Sequence, residues 1–230
     1  MSTFVIVGMA SEKAIVGERP GIQTIVGAGN APALAKQLEA AIAAGADYVI
    51  SVGVTGALDP DLKVGEIVVG VSVCDEGETV IHCDAGWTNR ISGALKDSPQ
   101  ARRFPVRFAN FVSTAAPVAT VAARSALRAS TAADAVDMES FIAASIAGAR
   151  GVPFAILRVV LDSSTFDLPP AALLPFTSSG GNDIEAILGS VARDPWQIPA
   201  LLKLASWSEK TMGNLAIALS RIGEDFRAAY

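Results

Sequence analysis

The sequence predicts an α/β fold: one three-layer domain with a central β-sheet flanked by helices. Three observations point there. Short apolar runs alternate with Ala- and Leu-rich helical runs from residue 4 to residue 161, the pattern of strand–helix–strand units. The chain has 230 residues, 51% hydrophobic and 18% charged, enough for one sizeable core and too apolar for disorder. Val152 to Leu161 is almost continuously apolar, as in strands covered on both faces.

The elements follow in order. Phe4 to Gly8 reads as a buried strand ending in glycine, and Gln23 to Gly27 as a second. Pro32 to Ala44 is helical: proline suits a first turn, alanine and leucine dominate, and Gly45 follows as a stop. Asp47 to Gly53 is a third strand. Leu62 to Gly70 turns into a fourth that continues towards Cys74, and Val80 to Cys83 is strand-like. Asp84 to Arg107 is polar and irregular, with a short helix near Arg90 to Leu95. Val106 to Ser113 is a strand. Ala119 to Ser130 is an amphipathic helix with Arg124 and Arg128 one turn apart. Asp134 to Asp137 leads into a helix from Met138 to Arg150, which Gly151 ends. Past Asp162 the texture loosens: Asp167 to Pro170 and Ser178 to Asp183 are loops. Ile184 to Val191, Ile198 to Trp207 and Glu209 to Tyr230 are closing helices. Strands alternating with helices imply a mostly parallel sheet, with ligands beyond the carboxyl ends of its strands.

Composition excludes several functions. The net charge is −5 and the pI near 4.9, against a nucleic-acid partner, which needs a basic stripe. Arg102-Arg103 with Arg107 is too short a patch to change that. Cys74 and Cys83 lack metal-pair spacing and read as reduced, buried thiols of a cytoplasmic protein. His82 beside Cys83 has no second cluster, so no metal is expected. The N-terminus has no basic leader, and no apolar run reaches the length of a membrane span.

Several segments can carry chemistry. Glu12 lies just past the first strand, where a carboxylate can hold water or a hydroxyl. Gly53-Val54-Thr55-Gly56-Ala57-Leu58 reads as a small-residue loop whose N–H groups and Thr55 hydroxyl can receive an anion or sugar oxygens. Glu139 sits at a helix start, where the macrodipole favours an acid. Asp162 ends an apolar strand, where partial burial raises a carboxyl pKa towards neutrality. Gly27-Ala28-Gly29-Asn30-Ala31-Pro32 invites a dinucleotide reading, and hence an NAD-dependent oxidoreductase. Its sixth position is proline, however, and no acidic residue ends the next strand.

Four stretches together resemble the purine nucleoside phosphorylase/uridine phosphorylase superfamily: Gly8-Met9-Ala10-Ser11-Glu12, Gly53 to Val69, Val136-Asp137-Met138-Glu139-Ser140, and Val152 to Asp162. The branch most similar is that of the methylthioadenosine/S-adenosylhomocysteine nucleosidases. The C-terminal region with Pro195-Trp196 resembles the hopanoid-associated phosphorylase branch. The resemblance implies a nucleoside phosphorylase-like fold with a mixed central sheet of about nine or ten strands. It also implies cleavage of the N-glycosidic bond of a purine nucleoside, without metal or redox cofactor, in a dimer or hexamer. Carried over, Asp162 is the acid to the base, Glu139 holds the ribose hydroxyls, Met138 packs on the sugar and Glu12 positions water. Thr55 and Gly56 lie beside the ribose, near the phosphate position of the phosphorylases, and Ser113 lies near the base.

Glu12 favours hydrolysis, while the hopanoid-associated branch favours phosphorolysis with phosphate as co-substrate; Arg19 is the nearby cation after the first strand. An aspartate at 162 suits an adenine-type base. Three departures mark the chain. Leu161 replaces the serine usually found before the aspartate, Val54 replaces a frequent serine, and Asp84 to Leu95 carries no aromatic-rich insertion. They imply a bulky, apolar 5′ substituent, for which adenosylhopane fits. The non-enzymatic rival is a nucleoside-binding protein without turnover.

Overall fold

The computed structural model describes residues 1–77, 79–96 and 105–228. Its strands are β1 (Thr3–Val7), β2 (Ile22–Val26), β3 (Tyr48–Ala57), β4 (Ile67–Cys74), β5 (Val80–His82), β6 (Val106–Ser113), β7 (Ala135–Asp137) and β8 (Phe154–Asp162). Its helices are α1 (Ala10–Val16), α2 (Ala31–Ala43), α3 (Ala85–Lys96), α4 (Val121–Thr131), α5 (Ser140–Ala149), α6 (Ile184–Arg193) and α7 (Ile198–Arg221). The arginines at 102 and 103, and Tyr230, lie outside the described residues.

The eight strands form one mixed sheet in the order β2-β1-β3-β7-β6-β4-β5, with β8 bonded to both β3 and β4. The expectation of nine or ten strands is therefore corrected to eight among the described residues. The sheet is also less parallel than alternation implied: β7 runs antiparallel to β3, and β8 to β4. Following the pairings from β3 through β8, β4, β6 and β7 returns to β3. Part of the sheet thus closes into a ring, leaving β2 and β5 at the edges.

Alternate residues of each strand feed two cores. Phe4 and Ile6 of β1, with Ile156 and Val160 of β8, pack beneath Leu34 and Leu38 of α2 and Ala143, Ala144 and Ala147 of α5. Val5 and Val7, with Leu157 and Val159, pack under Trp87 and Ile91 of α3 and Leu215 and Leu219 of α7. Both faces are apolar, so these strands read as continuous runs rather than alternating ones.

Several boundaries differ from expectation. Gly53 to Ala57 is not a loop but the continuation of β3, its register shifting between Thr55 and Gly56. Residues 135–137, expected only as a lead-in, pair with both β3 and β6. The helix expected from Met138 begins at Ser140, with Glu139 at its N-cap. The two closing helices expected after Ile198 are one 24-residue helix, because Ser208 between them does not break a helix. The short helix near Arg90 extends over Ala85–Lys96. Cys74 and Cys83 are free and buried, His82 is exposed, and the described residues contain no metal-binding cluster.

Candidate active site

The register shift in β3, the short β7 and the end of β8 meet at one side of the ring. A cleft of about 170 Å³ opens there, lined by Glu12, Thr55, Gly56, Met138, Glu139, Arg158 and Asp162 among others. Four segments distant in sequence converge on it, and six of the seven predicted site residues line it. Ser113 lines an adjoining pocket instead, which shares Met138 and Glu139 with the cleft.

Glu12 is held by three backbone donors. Gly8 N–H and Met9 N–H donate to Oε2 at 2.8 and 2.9 Å, and Val54 N–H donates to Oε1 at 2.8 Å. Burial pushes its carboxyl above the ordinary range, opposed by Arg158 and by these N–H groups. Gly53 makes room for it: a Cβ there would stand 2.3 Å from Glu12 Oε1, and its φ is +151°. The glycine is therefore required twice, by space and by backbone.

Glu139 and Asp137 share Arg158. Arg158 Nη2 donates to Glu139 Oε2 at 3.2 Å, and Nε lies 2.9 Å from Asp137 Oδ2. The same guanidinium donates to Ser51 Oγ at 2.7 Å and to the Val54 carbonyl at 2.9 Å. Asp137 is further anchored by Ser113 Oγ at 2.5 Å and by Ser140 N–H at 3.1 Å. Ser113 thus spends its proton on Asp137 while accepting from Phe141 N–H at 2.9 Å; it fixes the start of α5 and is not turned into the cleft. Gly27 is explained here as well: a Cβ would lie 2.9 Å from Glu139 Cγ. The glycine turn that suggested a dinucleotide gives space to Glu139, while Asn30 caps α2 by accepting from Ala33 N–H at 3.0 Å.

Asp162 is 5% exposed and ion-paired with Arg124 of α4. Burial raises its carboxyl, and Arg124 opposes the rise. Thr55 Oγ donates to the Val136 carbonyl at 2.7 Å, binding β3 to β7. The hydroxyl expected to cradle an anion is therefore a cross-strand tie, and the neighbouring Val54 N–H is taken by Glu12. Arg19 lies outside the cleft, stacked 4.8 Å over the Phe226 ring.

Sequence reading did not assign Arg124, Asp137, Arg158, Leu168 or Phe176 to the site, though all line the cleft. Arg158 had a signal: a cation inside an apolar strand is costly unless paired. Arg124 had a weaker one, a one-turn spacing with Arg128 that a solvated helix face would also explain. Leu168 and Phe176 had none. They come from the irregular segment after β8, tied to α4 by Val121 N–H donating to Asp167 Oδ1 at 2.6 Å and Leu168 N–H to the Ala119 carbonyl at 2.8 Å. With Leu161, Pro117 and Val118 they form an apolar outer wall.

Solved structures with the same architecture are numerous. Futalosine hydrolase of Helicobacter pylori has a TM-score of 0.70 at 16% identity, covering 96% of this chain and 97% of that one. The methylthioadenosine/S-adenosylhomocysteine nucleosidase of Neisseria meningitidis, in complex with methylthio-immucillin-A, has a TM-score of 0.69 at 18% identity, covering 96% and 97%. That of Colwellia psychrerythraea, in complex with adenine, has a TM-score of 0.68 at 15% identity, covering 99% and 94%. At these identities the likeness is one of fold. A search among curated proteins gives no match. The model of the phosphorylase superfamily, however, matches residues 1–187. That span includes every residue of the cleft named above and displaces the oxidoreductase reading: the chain belongs to the phosphorylase superfamily.

Proposed function

We propose that this protein hydrolyses the N-glycosidic bond of a purine nucleoside with an adenine-type base and an apolar 5′ group, adenosylhopane being one such compound. The observation that carries the reading is the convergence of Glu12, Glu139 and Asp162, each at most 6% exposed, on one cleft.

Cleavage of such a bond passes through an oxocarbenium-like ribosyl cation, so anionic oxygens near the sugar favour it and the departing base needs a proton. Asp162 delivers a proton to purine N7 as the bond from C1′ to N9 breaks and its electron pair moves into the base. Glu139 accepts from the ribose 2′ and 3′ hydroxyls, and Met138 packs against the sugar. Glu12 takes a proton from the water that attacks C1′. The products are the free base and the ribose derivative. Correctly placed acid or base catalysis gives about 10²–10⁴-fold each. The reaction so written needs no metal and no redox cofactor.

Hydrolysis is favoured over phosphorolysis by the state of the cations. Arg158 is matched by Asp137 and Glu139, Arg124 by Asp162, and Arg19 lies elsewhere. A phosphate dianion would compete with three carboxylates for them. The adenine preference rests on the hydrogen bond that Asp162 can accept from an exocyclic amine. The relatives crystallised with adenine or an immucillin-A inhibitor support it. The apolar outer wall of Leu161, Leu168, Phe176 and Val118 supports the 5′ assignment. The test is adenine release from adenosine and from a 5′-alkyl-5′-deoxyadenosine, with and without phosphate. A rate indifferent to phosphate is expected, and a rate that requires phosphate overturns hydrolysis. Nucleoside binding with no adenine release would leave the protein a binding module.

A further inference from the structure

From the ion pair at the end of β8 we infer that Arg124 of α4 is the positioning residue of the acid, steering the Asp162 carboxyl and setting how readily it gives up its proton. The inference rests on the reading of Asp162 as the acid to the base.

Three observations carry it. Arg124 is 2% exposed, and a buried guanidinium is expensive unless matched. It touches Asp162 Oδ2 through Nη1, and the same nitrogen donates to the Ala57 carbonyl at 3.2 Å. That second bond fixes the guanidinium against the end of β3, so it cannot follow Asp162 if the carboxylate turns away. Gly56 completes the seat: a Cβ there would stand 3.0 Å from Arg124 Nη1 and 3.3 Å from Asp162 Oδ2. Finally, Leu161 before Asp162 has no hydroxyl to offer, and the Ser163 hydroxyl after it is engaged with Thr165; the orienting group comes from another element.

Asp162 faces few other charges. On its own strand, Arg158 is committed to Asp137 and Glu139. Glu12 of α1 is committed to backbone N–H groups. Lys210 of α7, the helix packed against β8, donates to the Val64 carbonyl at 3.0 Å. Arg124 is therefore the cation that governs Asp162. When the carboxyl gives its proton to N7, the carboxylate left behind is formed against a guanidinium already in place. Without that cation, a buried carboxyl would hold its proton too tightly to be a useful acid. Burial raises the Asp162 pKa and Arg124 pulls it back.

The test is the pH profile of kcat for adenine release from adenosine by the wild-type chain and by Arg124→Gln, Arg124→Lys and Asp162→Asn. An acid must be protonated, so its limb is the one where activity falls as pH rises. Arg124→Gln is expected to lower the plateau of kcat at least tenfold with KM within threefold, and to move that limb up by one pH unit or more. Arg124→Lys is expected to restore most of both. If Arg124→Gln does not fold by circular dichroism, Gly56→Ala disturbs the same pair from the opposite side, and the same upward move is expected. A limb that stays where the wild type has it overturns the role of Arg124, whatever the level of activity. If Asp162→Asn is as active as the wild type, the reading of Asp162 as the acid fails first; loss in Asp162→Asn with an unmoved limb in Arg124→Gln fails the inference alone.

Discussion

Glu139 shows most directly how the environment of one residue sets its chemistry. Burial pushes its carboxyl up to about 7; Arg158 opposes the rise, while Asp137 and Glu12 add to it. In the proposed role, the neutral group below that pH is a poorer acceptor for the two ribose hydroxyls than the carboxylate above it. KM for adenosine is therefore expected to fall as pH rises from about 6 to about 8, and Glu139→Gln to remove the dependence. Stability carries the opposite sign. Between the ordinary 4.5 and about 7, the folded chain holds a proton that the unfolded chain has released. Raising the pH through that window therefore lowers stability. Thermal unfolding followed between pH 5 and 7 should fall less steeply with pH in Glu139→Gln than in the wild type. Glu12→Gln cannot take a proton from water in the proposed reaction; its single amide oxygen keeps the Gly8 and Met9 N–H donors and turns an NH2 towards the Val54 N–H. Adenine release should drop by about 10²–10⁴-fold, with nucleoside binding retained in calorimetry.

At the scale of elements, the site depends on strands that carry charge inside the sheet. Arg158 lies in β8 and ties β3, β7 and the start of α5 together through Ser51 and Val54, Asp137, and Glu139. Arg158→Met would leave Asp137 and Glu139 buried without their cation. Breaking one side of a buried pair costs about 3–5 kcal/mol, so unfolding in denaturant should show a loss of that size; a loss below about 1 kcal/mol would mean the carboxylates are served by other groups. Much of the element pattern was legible in the sequence, because β1, β2, β6 and β8 and helices α2 and α4 keep their periodicity and their end signals. The same reasoning missed β7, whose three residues are too few to show a period. It also ended β3 at Gly53, because that glycine reads as a strand stop when its reason is the approach of Glu12. Arg124 was visible as one of a helical pair, yet its partner Asp162 lies 38 positions further along the chain, and no local spacing reports such a contact.

For the whole molecule, the ring of β3, β8, β4, β6 and β7 brings Glu12, Glu139 and Asp162 to one cleft. The convergence followed from resemblance, not from periodicity, since topology and not spacing joins these segments. Of the outer wall, Leu161 alone was legible in the sequence. Leu168 and Phe176 sit in irregular backbone, where the Val121 N–H to Asp167 and Leu168 N–H to Ala119 carbonyl bonds hold the Leu168 end. That wall predicts specificity. The chain should favour a 5′-alkyl-5′-deoxyadenosine over adenosine in kcat/KM, and Phe176→Ala should narrow the ratio by roughly tenfold. Among the described residues no helix is long and apolar enough to cross a membrane.

The most direct measurement of the central claim is adenine release from adenosine and from a 5′-alkyl-5′-deoxyadenosine in phosphate-free buffer, by the wild-type chain and by Asp162→Asn. Turnover by the wild type without phosphate is expected, with a loss of about 10²-fold or more in Asp162→Asn. Wild-type turnover that Asp162→Asn leaves unchanged, or binding of both nucleosides with no adenine released, would contradict it.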